Sequence, residues 1–449
     1  MAPATLVRVI RAKGYDPDRL AEALPDAVFD AVRSGDRVVL KPNWVLEGHK
    51  ERPDEWEHVI THPAVITAVL SRVISRLAGS GRISIIDGPQ TDASFKTLIA
   101  RYPVARWQAM ARGLELEVID LRDVEQDTFN GIVVRRRSLR GDPRGKVTVD
   151  LLDDASEFAG HTRSVRGYYG ADYDRSETNR AHDGHHNLYS VSRSVLESDV
   201  FINLPKLKTH RKSGITACLK NLVGINTYKN YLPHHSEGGP SQRGDQFPTD
   251  NLNARVEGPL LGFLKLHVLR NPHLALALAP LNTLGRKLFG ETRAVVRSGN
   301  WYGNDTIWRM ILDLNKVLLY ARPDGSMSET PRRYIGIVDA IAAGDGEGPL
   351  APDRVDLGYV ICGINPVAID TVCAAAMGFD PMKIPSIARA YGARHHALVD
   401  FTAAAIELEL DGARGSLDAL FDSLMVPCRP HFGWRGHIET ERHAIATAS

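Results

Sequence analysis

Four short apolar runs in this chain each end abruptly in ionisable or amide residues, and that repetition points to an α/β fold. Ser198-Asp199 leads into Val200 to Ile202 and then into Asn203, Leu204, Pro205, Lys206, Leu207, Lys208, Thr209 and His210. Val38 to Leu40 deliver Lys41, Pro42 and Asn43, and Ile83 to Ile86 deliver Asp87 and Gly88-Pro89. Tyr334 to Val338 deliver Asp339, followed by a glycine-rich acidic loop with Asp345 and Glu347. Runs of β-branched and aromatic residues suit central strands covered on both faces, and open α/β sheets bind ligands at the carboxyl edge of such strands. If the four lie in one sheet, these end groups converge.

The pattern between the strands predicts the rest of the architecture. Arg37 to Asp87 reads as a right-handed βαβ unit whose helix starts at Thr61 as N-cap, and residues 114–121 add a strand. Residues 131–141 and 146–152 alternate in period two and predict an antiparallel hairpin turning at Gly141 and Pro143. The polar, aromatic stretch Gly160 to Asn187 reads as an ordered substrate loop or lid. Helices are expected over 304–320, 365–379 and 385–392, and strands over 334–340 and 355–363. The expected fold is α/β, with a mixed, mostly parallel sheet flanked by helices and two lobes around a cleft at the carboxyl ends of the strands. The segments are an N-terminal α/β lobe (1–130), a hairpin and loop insertion (131–190), a second α/β lobe (191–226 with 300–410), a helical or irregular insertion (227–299) and a tail (411–449). Within the insertion, the apolar but proline-broken 260–290 region reads as a helical hairpin closing the site, a homodimer surface or a membrane-peripheral pair.

Composition excludes several classes. With 449 residues, 43% of them hydrophobic, the chain can bury substantial cores, and 55 Lys+Arg against 54 Asp+Glu give no field favouring nucleic acid. No apolar run reaches the roughly 18 residues of a membrane span, and the start lacks a signal-peptide core, so a cytoplasmic location is expected. Cys218, Cys362, Cys373 and Cys428 are scattered without a C-x-x-C pair, so buried thiols are expected and no intrinsic iron–sulfur cluster.

The strand-end residues carry the candidate chemistry. Lys41, Asn43, Lys206, Lys208, Lys220 and Asn221 are candidates for holding a phosphate or carboxylate, against the plain reading that lysines flank many strands. His210 is a candidate base or metal ligand, against a structural hydrogen-bonding histidine, and His62 reads as a helix cap. Asp87, Asp339, Asp345 and Glu347 are hard oxygen donors for a divalent ion, or turn caps beside their glycines; the loop His182, Asp183, His185, His186 matches no zinc spacing. A P-loop, G-x-G-x-x-G after a strand and G-x-S-x-G are missing, which removes weight from nucleotide hydrolysis, Rossmann hydride transfer and α/β-hydrolase chemistry.

Seven motifs in order resemble the family called domain of unknown function 362: Lys41 to Asn43, Thr61 to Pro63, Asp87 to Pro89, Asn203 to His210, Leu219 to Gly224, Gly344 to Pro349 and Ala368 to Asp370, between about Val38 and Tyr391. Many members of that family carry ferredoxin-like iron–sulfur modules, which this chain lacks. The segment Asn203 to Gly224 is also similar to the part of nickel-pincer-nucleotide lactate racemases where a strand ends in Pro-His before glycines and a lysine. That likeness implies His210 as metal ligand and Lys206, Lys208 or Lys220 as holding or tethering a nucleotide-like cofactor, though the glycine pair is absent here.

These readings together predict an enzyme of small-molecule metabolism binding an anionic substrate or nucleotide-like cofactor. Metal-assisted redox or proton-transfer chemistry, an oxidoreductase or isomerase, is expected of it. His210, Lys208, Asp87 and Asp339 are its candidate catalytic groups, and His210 and Glu347 its candidate metal ligands. The competing class is a non-catalytic ligand or metal carrier, or a scaffold docking through 260–290.

Overall fold

A computed structural model of the chain describes residues 3–129, 132–172, 174–250 and 296–448. The 260–290 region, read from sequence as a helical hairpin closing the site, a homodimer surface or a membrane-peripheral pair, lies outside the described residues.

The central sheet has 11 strands. In chain order they are β1 (Leu6–Arg11), β2 (Arg37–Pro42), β3 (Arg82–Asp87), β4 (Glu115–Asp120), β5 (Val200–Leu204), β6 (Lys206–His210), β7 (Gly214–Thr216), β8 (Arg333–Asp345), β9 (Asp353–Gly363), β10 (Glu407–Leu410) and β11 (Ala413–Ser416). The spatial order is β11-β10-β1-β9-β8-β5-β2-β3-β4, with β6 against β8 and β7. From β8 to β4 the neighbours run parallel, whereas β9 is antiparallel to both β8 and β1. The sheet is thus mixed and mostly parallel, as expected. Strands from 1–130 and from 191–410 share it, because β5 sits between β2 and β8.

Alternation along the strands sorts side chains onto two cores. Val38, Leu40, Ile83, Ile85, Ile202 and Ile337 pack with the helix Pro63–Leu77 on one face. Val39, Ile86, Phe201 and Val338 pack with helices Ile307–Tyr320 and Pro366–Ala376 on the other. A parallel strand buried on both faces needs such an unbroken apolar run. Helix starts follow local chemistry: Asn365 caps Pro366–Ala376, accepting hydrogen bonds from the N–H groups of Val367 and Ala368, and Asn304, two residues before the N-cap Thr306, accepts from the N–H groups of Thr306 and Ile307. All four cysteines are buried and free. No helix among the described residues is long and apolar enough to cross a membrane.

Three local expectations are corrected. Ile132–Ser138 pairs with Val124–Phe129, and Lys146–Asp150 pairs with Leu188–Ser192, so the two runs do not form a hairpin with each other. Both runs alternate correctly, but alternation does not name a partner. Helix Pro63–Leu77 is capped by His62, whose Nδ1 accepts from the Ala64 N–H at 3.1 Å. Thr61 instead ties two strand ends together, its hydroxyl accepting from Asn43 N–H at 2.8 Å and donating to Leu204 O at 2.6 Å. The expected acidic loop after Asp339 is strand as far as Asp345, because its second half pairs with β6.

The short helix Cys218–Asn221 is anchored from the opposite face. Asp370 accepts from the N–H groups of Cys218 at 2.7 Å and Leu219 at 3.0 Å, and burial pushes its carboxyl up to about 7. Replacing it orphans two buried donors. Asp370→Ala is therefore expected to lower stability by about 2–5 kcal/mol, read from the denaturant midpoint; a loss below about 0.5 kcal/mol contradicts the capping role.

Candidate functional site

The ends of β2, β3 and β5, with β6 and the Cys218–Asn221 helix, bring Lys41, Asn43, Asp87, Asn203, Lys208 and Asn221 into one buried hydrogen-bonded cluster. Lys41 Nζ lies 2.8 Å from Asp87 Oδ1 and also donates to Pro42 O. Asp87 further accepts from the N–H groups of Trp44 and Gly88, at 2.6 and 2.8 Å. Gly224 lies directly against this pair, and a Cβ there would collide with Asp87 Oδ1 and Lys41 Nζ. A glycine at this point is a requirement of close approach.

An amide relay fixes the next layer. Lys208 Nζ donates to Asn43 Oδ1 at 2.8 Å, and Asn43 Nδ2 donates to Asn221 Oδ1 at 2.8 Å. Asn221 Nδ2 then donates to Asn203 Oδ1 at 2.8 Å, and Asn203 Nδ2 donates to Cys218 O and the Tyr334 hydroxyl. Each amide is oriented by its neighbours, so Lys208 is held by neutral acceptors, Asn43 and Val59 O.

Lys206 belongs to an adjoining network. Its Nζ is 2.5 Å from Asp339 Oδ2 and donates to the Tyr15 hydroxyl. Asp339 also accepts from Tyr15 OH and from the His62 N–H, and Tyr15 stacks on His62 at 3.6 Å. Asp87 and Asp339, expected as acid, base or ion-binding groups, thus have their oxygens committed to lysines and backbone donors.

Beyond the relay stand cations without carboxylates. The half-buried side chains of Lys220 and Arg211 make no hydrogen bond or ion pair among the described residues. Lys229 is buried and donates to carbonyls, Gly88 O at 2.8 Å, Asn226 O at 3.1 Å and Val223 O at 3.4 Å. Burial and the neighbouring Lys229, Lys41 and Arg211 push the Lys220 amine down to about 7. Burial, partly offset by Asp87 and reinforced by Lys41, brings Lys229 to about 8. Burial with Lys206 and Lys220 drives Lys208 well below its ordinary value. Arg211 and Lys229 escaped the sequence reading. Arg211 stands directly after His210, at the turn where Gly214 at φ +79° closes the β6–β7 hairpin, a place the sequence alone does not mark.

His210 is buried in this cation-rich surrounding, and burial with Lys220 and Arg211 holds it well below the usual imidazole range. Its Nδ1 accepts from the N–H groups of Lys212 at 3.1 Å and Ser213 at 3.2 Å. The neutral ring therefore carries its proton on Nε2. Glu347 faces elsewhere, pairing with His431 Nε2 at 3.0 Å, and Asp345 is held bidentately by Arg429. Among the described residues no three His, Cys, Asp or Glu side chains form a metal-ligand group. His182, His185 and His186 are engaged with Asn187, Asp153 and Asp150 respectively. For a nucleotide-like cofactor, Lys208, Lys220 and Arg211 supply donors that would suit the phosphate, with Lys229 adding charge; His210, with Nδ1 taken by backbone donors, could ligate a metal through Nε2 only after losing its remaining proton.

The family described as Domain of unknown function (DUF362) matches residues 155–375, just under half of the chain. Lys206 to Gly224 and Asp370 lie inside the matched stretch, and Lys41 and Asp87 lie before it. Solved structures similar to the chain include a protein from Thermotoga maritima, at 11% identity and TM-score 0.34 over 81% of this chain. Another is the lactate racemase apoprotein from Thermoanaerobacterium thermosaccharolyticum, at 10% identity and TM-score 0.33 over 84%. The chain spans 59% of the length of each. No curated protein sequence matches it.

Two lysines should respond oppositely to removal of charge. Lys41→Met leaves Asp87 buried without its cation and is expected to cost about 3–5 kcal/mol, whereas Lys220→Met removes an unpaired charge and is expected to stabilise the ligand-free protein by about 1–2 kcal/mol at pH 7. The unfolded chain holds the Lys220 proton up to about 10.4 and the folded chain only to about 7. This group's contribution to stability therefore rises with pH across that window. Chemical denaturation between pH 7 and 10 should show a shallower rise in Lys220→Met; identical slopes contradict the assignment.

Proposed function

We propose that this relative of the domain-of-unknown-function 362 family is an enzyme of small-molecule metabolism that binds an anionic substrate or nucleotide-like cofactor at the edge formed by β2, β3, β5 and β6. One observation carries the reading: Lys208, Lys220, Lys229 and Arg211 gather at this edge with no carboxylate partner among the described residues. A folded chain retains unpaired buried cations at a cost in stability, and functional sites are where such costs persist.

The chemistry that suits the arrangement is proton transfer on the bound anion. Lys220, with an amine near 7 and no acceptor among the described residues, can give or take a proton at neutral pH. His210, neutral with its proton on Nε2, serves as a hydrogen-bond donor to a developing negative charge rather than as a base. Arg211 holds the anion, Lys229, whose three N–H donors go to carbonyls, adds charge beside it, and the Asn43–Asn221–Asn203 relay keeps Lys208 aimed.

A thermal-shift screen of carboxylated and phosphorylated metabolites should find stabilising anions. A hit should then exchange a carbon-bound proton for deuterium in D2O in the presence of the wild type, and not with Lys220→Gln. Absence of any stabilising anion removes the binding reading, and exchange undiminished in Lys220→Gln removes Lys220 as the proton carrier. Affinity for the hit should fall as pH rises from about 7 to 9, since the ammonium forms of Lys220 and Lys229 are lost through about 7 and about 8. A flat profile over that range contradicts the role of these two amines.

A further inference from the structure

Resting on the anion-binding reading, the count of unpaired charge says more about the ligand. Lys41 is matched by Asp87 and Lys206 by Asp339, so neither calls for a partner from outside. Lys208 is held by an amide and a carbonyl, Lys229 by three carbonyls, and Lys220 and Arg211 by nothing among the described residues. Four cationic groups therefore share one edge, and the carboxylates that act on them, Asp87 on Lys208 and Lys229 and Asp120 on Lys229, are already paired with Lys41 and Arg122. A single carboxylate ligand would leave most of this charge unbalanced. Carbonyl oxygens orient an ammonium but supply no net charge, and in a poorly solvated site like charges repel over several ångströms.

The donors are also of a kind suited to tetrahedral oxyanions. Lys208 keeps one donor beyond Asn43 and Val59 O, Lys229 contributes charge but no free donor, and the Arg211 guanidinium offers a planar fork for two oxygens. His210 Nε2–H adds a neutral donor. We infer that the ligand is a polyanion bearing at least three negative charges, of the pyrophosphate or phosphorylated-carboxylate class, and not a simple monocarboxylate. On binding, amines that have released protons in the free protein take them back, so the ligand's charge is matched by proton uptake.

The test is calorimetric titration of the full chain at pH 7.5 and constant ionic strength with acetate, inorganic phosphate and pyrophosphate, each in two buffers of different ionisation enthalpy. Pyrophosphate is expected to bind about 100-fold or more tighter than acetate, with inorganic phosphate between them, and to take up more protons than acetate does. Arg211→Gln, which removes a side chain without partners among the described residues, should weaken pyrophosphate at least about tenfold and acetate much less. Acetate and pyrophosphate binding within about threefold of each other overturns the polyanion assignment while leaving anion binding in place. No binding of any of the three overturns both. Pyrophosphate binding that Arg211→Gln and Lys220→Gln both leave unchanged places the anion elsewhere and overturns the assignment to this edge.

Discussion

The buried pair of Lys41 and Asp87 is the contact around which the candidate site is organised. Asp87 has its two oxygens occupied by Lys41 and by the N–H groups of Trp44 and Gly88. It thereby fixes the turns after β2 and β3, and Gly224 closes over the pair because no larger residue fits. Once Asp87 is committed to Lys41, it only partly offsets the charge of Lys208 and Lys229. The neighbouring carboxylate, Asp339, is equally committed to Lys206, Tyr15 and the His62 N–H. Charge pairing on one side of the cluster thus produces charge surplus on the other, and that surplus defines what the edge can bind.

The amide relay converts this electrostatics into geometry. Asn43, Asn221 and Asn203 arise from three separate segments, each directly after or within a strand or short helix that the two cores hold in place. Asp370 supports the Cys218–Asn221 helix, which carries Asn221. A site built in this way gives precise direction to Lys208 without neutralising it, which an aspartate in place of Asn43 could not do. Preorganised but uncompensated charge is the form in which a protein presents electrostatic stabilisation to a bound group.

Much of this was legible before any coordinates. The strands Val38 to Leu40, Ile83 to Ile86, Val200 to Ile202 and Tyr334 to Val338 announced themselves through β-branched runs, and their polar ends do meet at one edge. Strand partners were not legible, since the alternation in Lys146–Asp150 fits any antiparallel neighbour and its partner, Leu188–Ser192, is far away in sequence. The division of labour among the charged groups was also hidden. Lys206 and Lys208, two residues apart, look alike in the chain, yet one is neutralised by Asp339 and the other is not. His210 looked like a base or a metal ligand, and only the two backbone donors on Nδ1 recast it as a neutral donor. Arg211 drew no notice because an arginine after a histidine carries no pattern.

The central claim is that the cations at this edge are unpaired until an anion arrives, and the Lys220 amine reports it most directly. Its titration can be followed by the 13Cε resonance in protein carrying labelled lysine, assigned by difference with Lys220→Arg, without ligand and then with saturating pyrophosphate. The account predicts a midpoint near the value of about 7 in the free protein, moving up when the anion is bound. A midpoint already at the ordinary value in the free protein, unmoved by pyrophosphate, would contradict it.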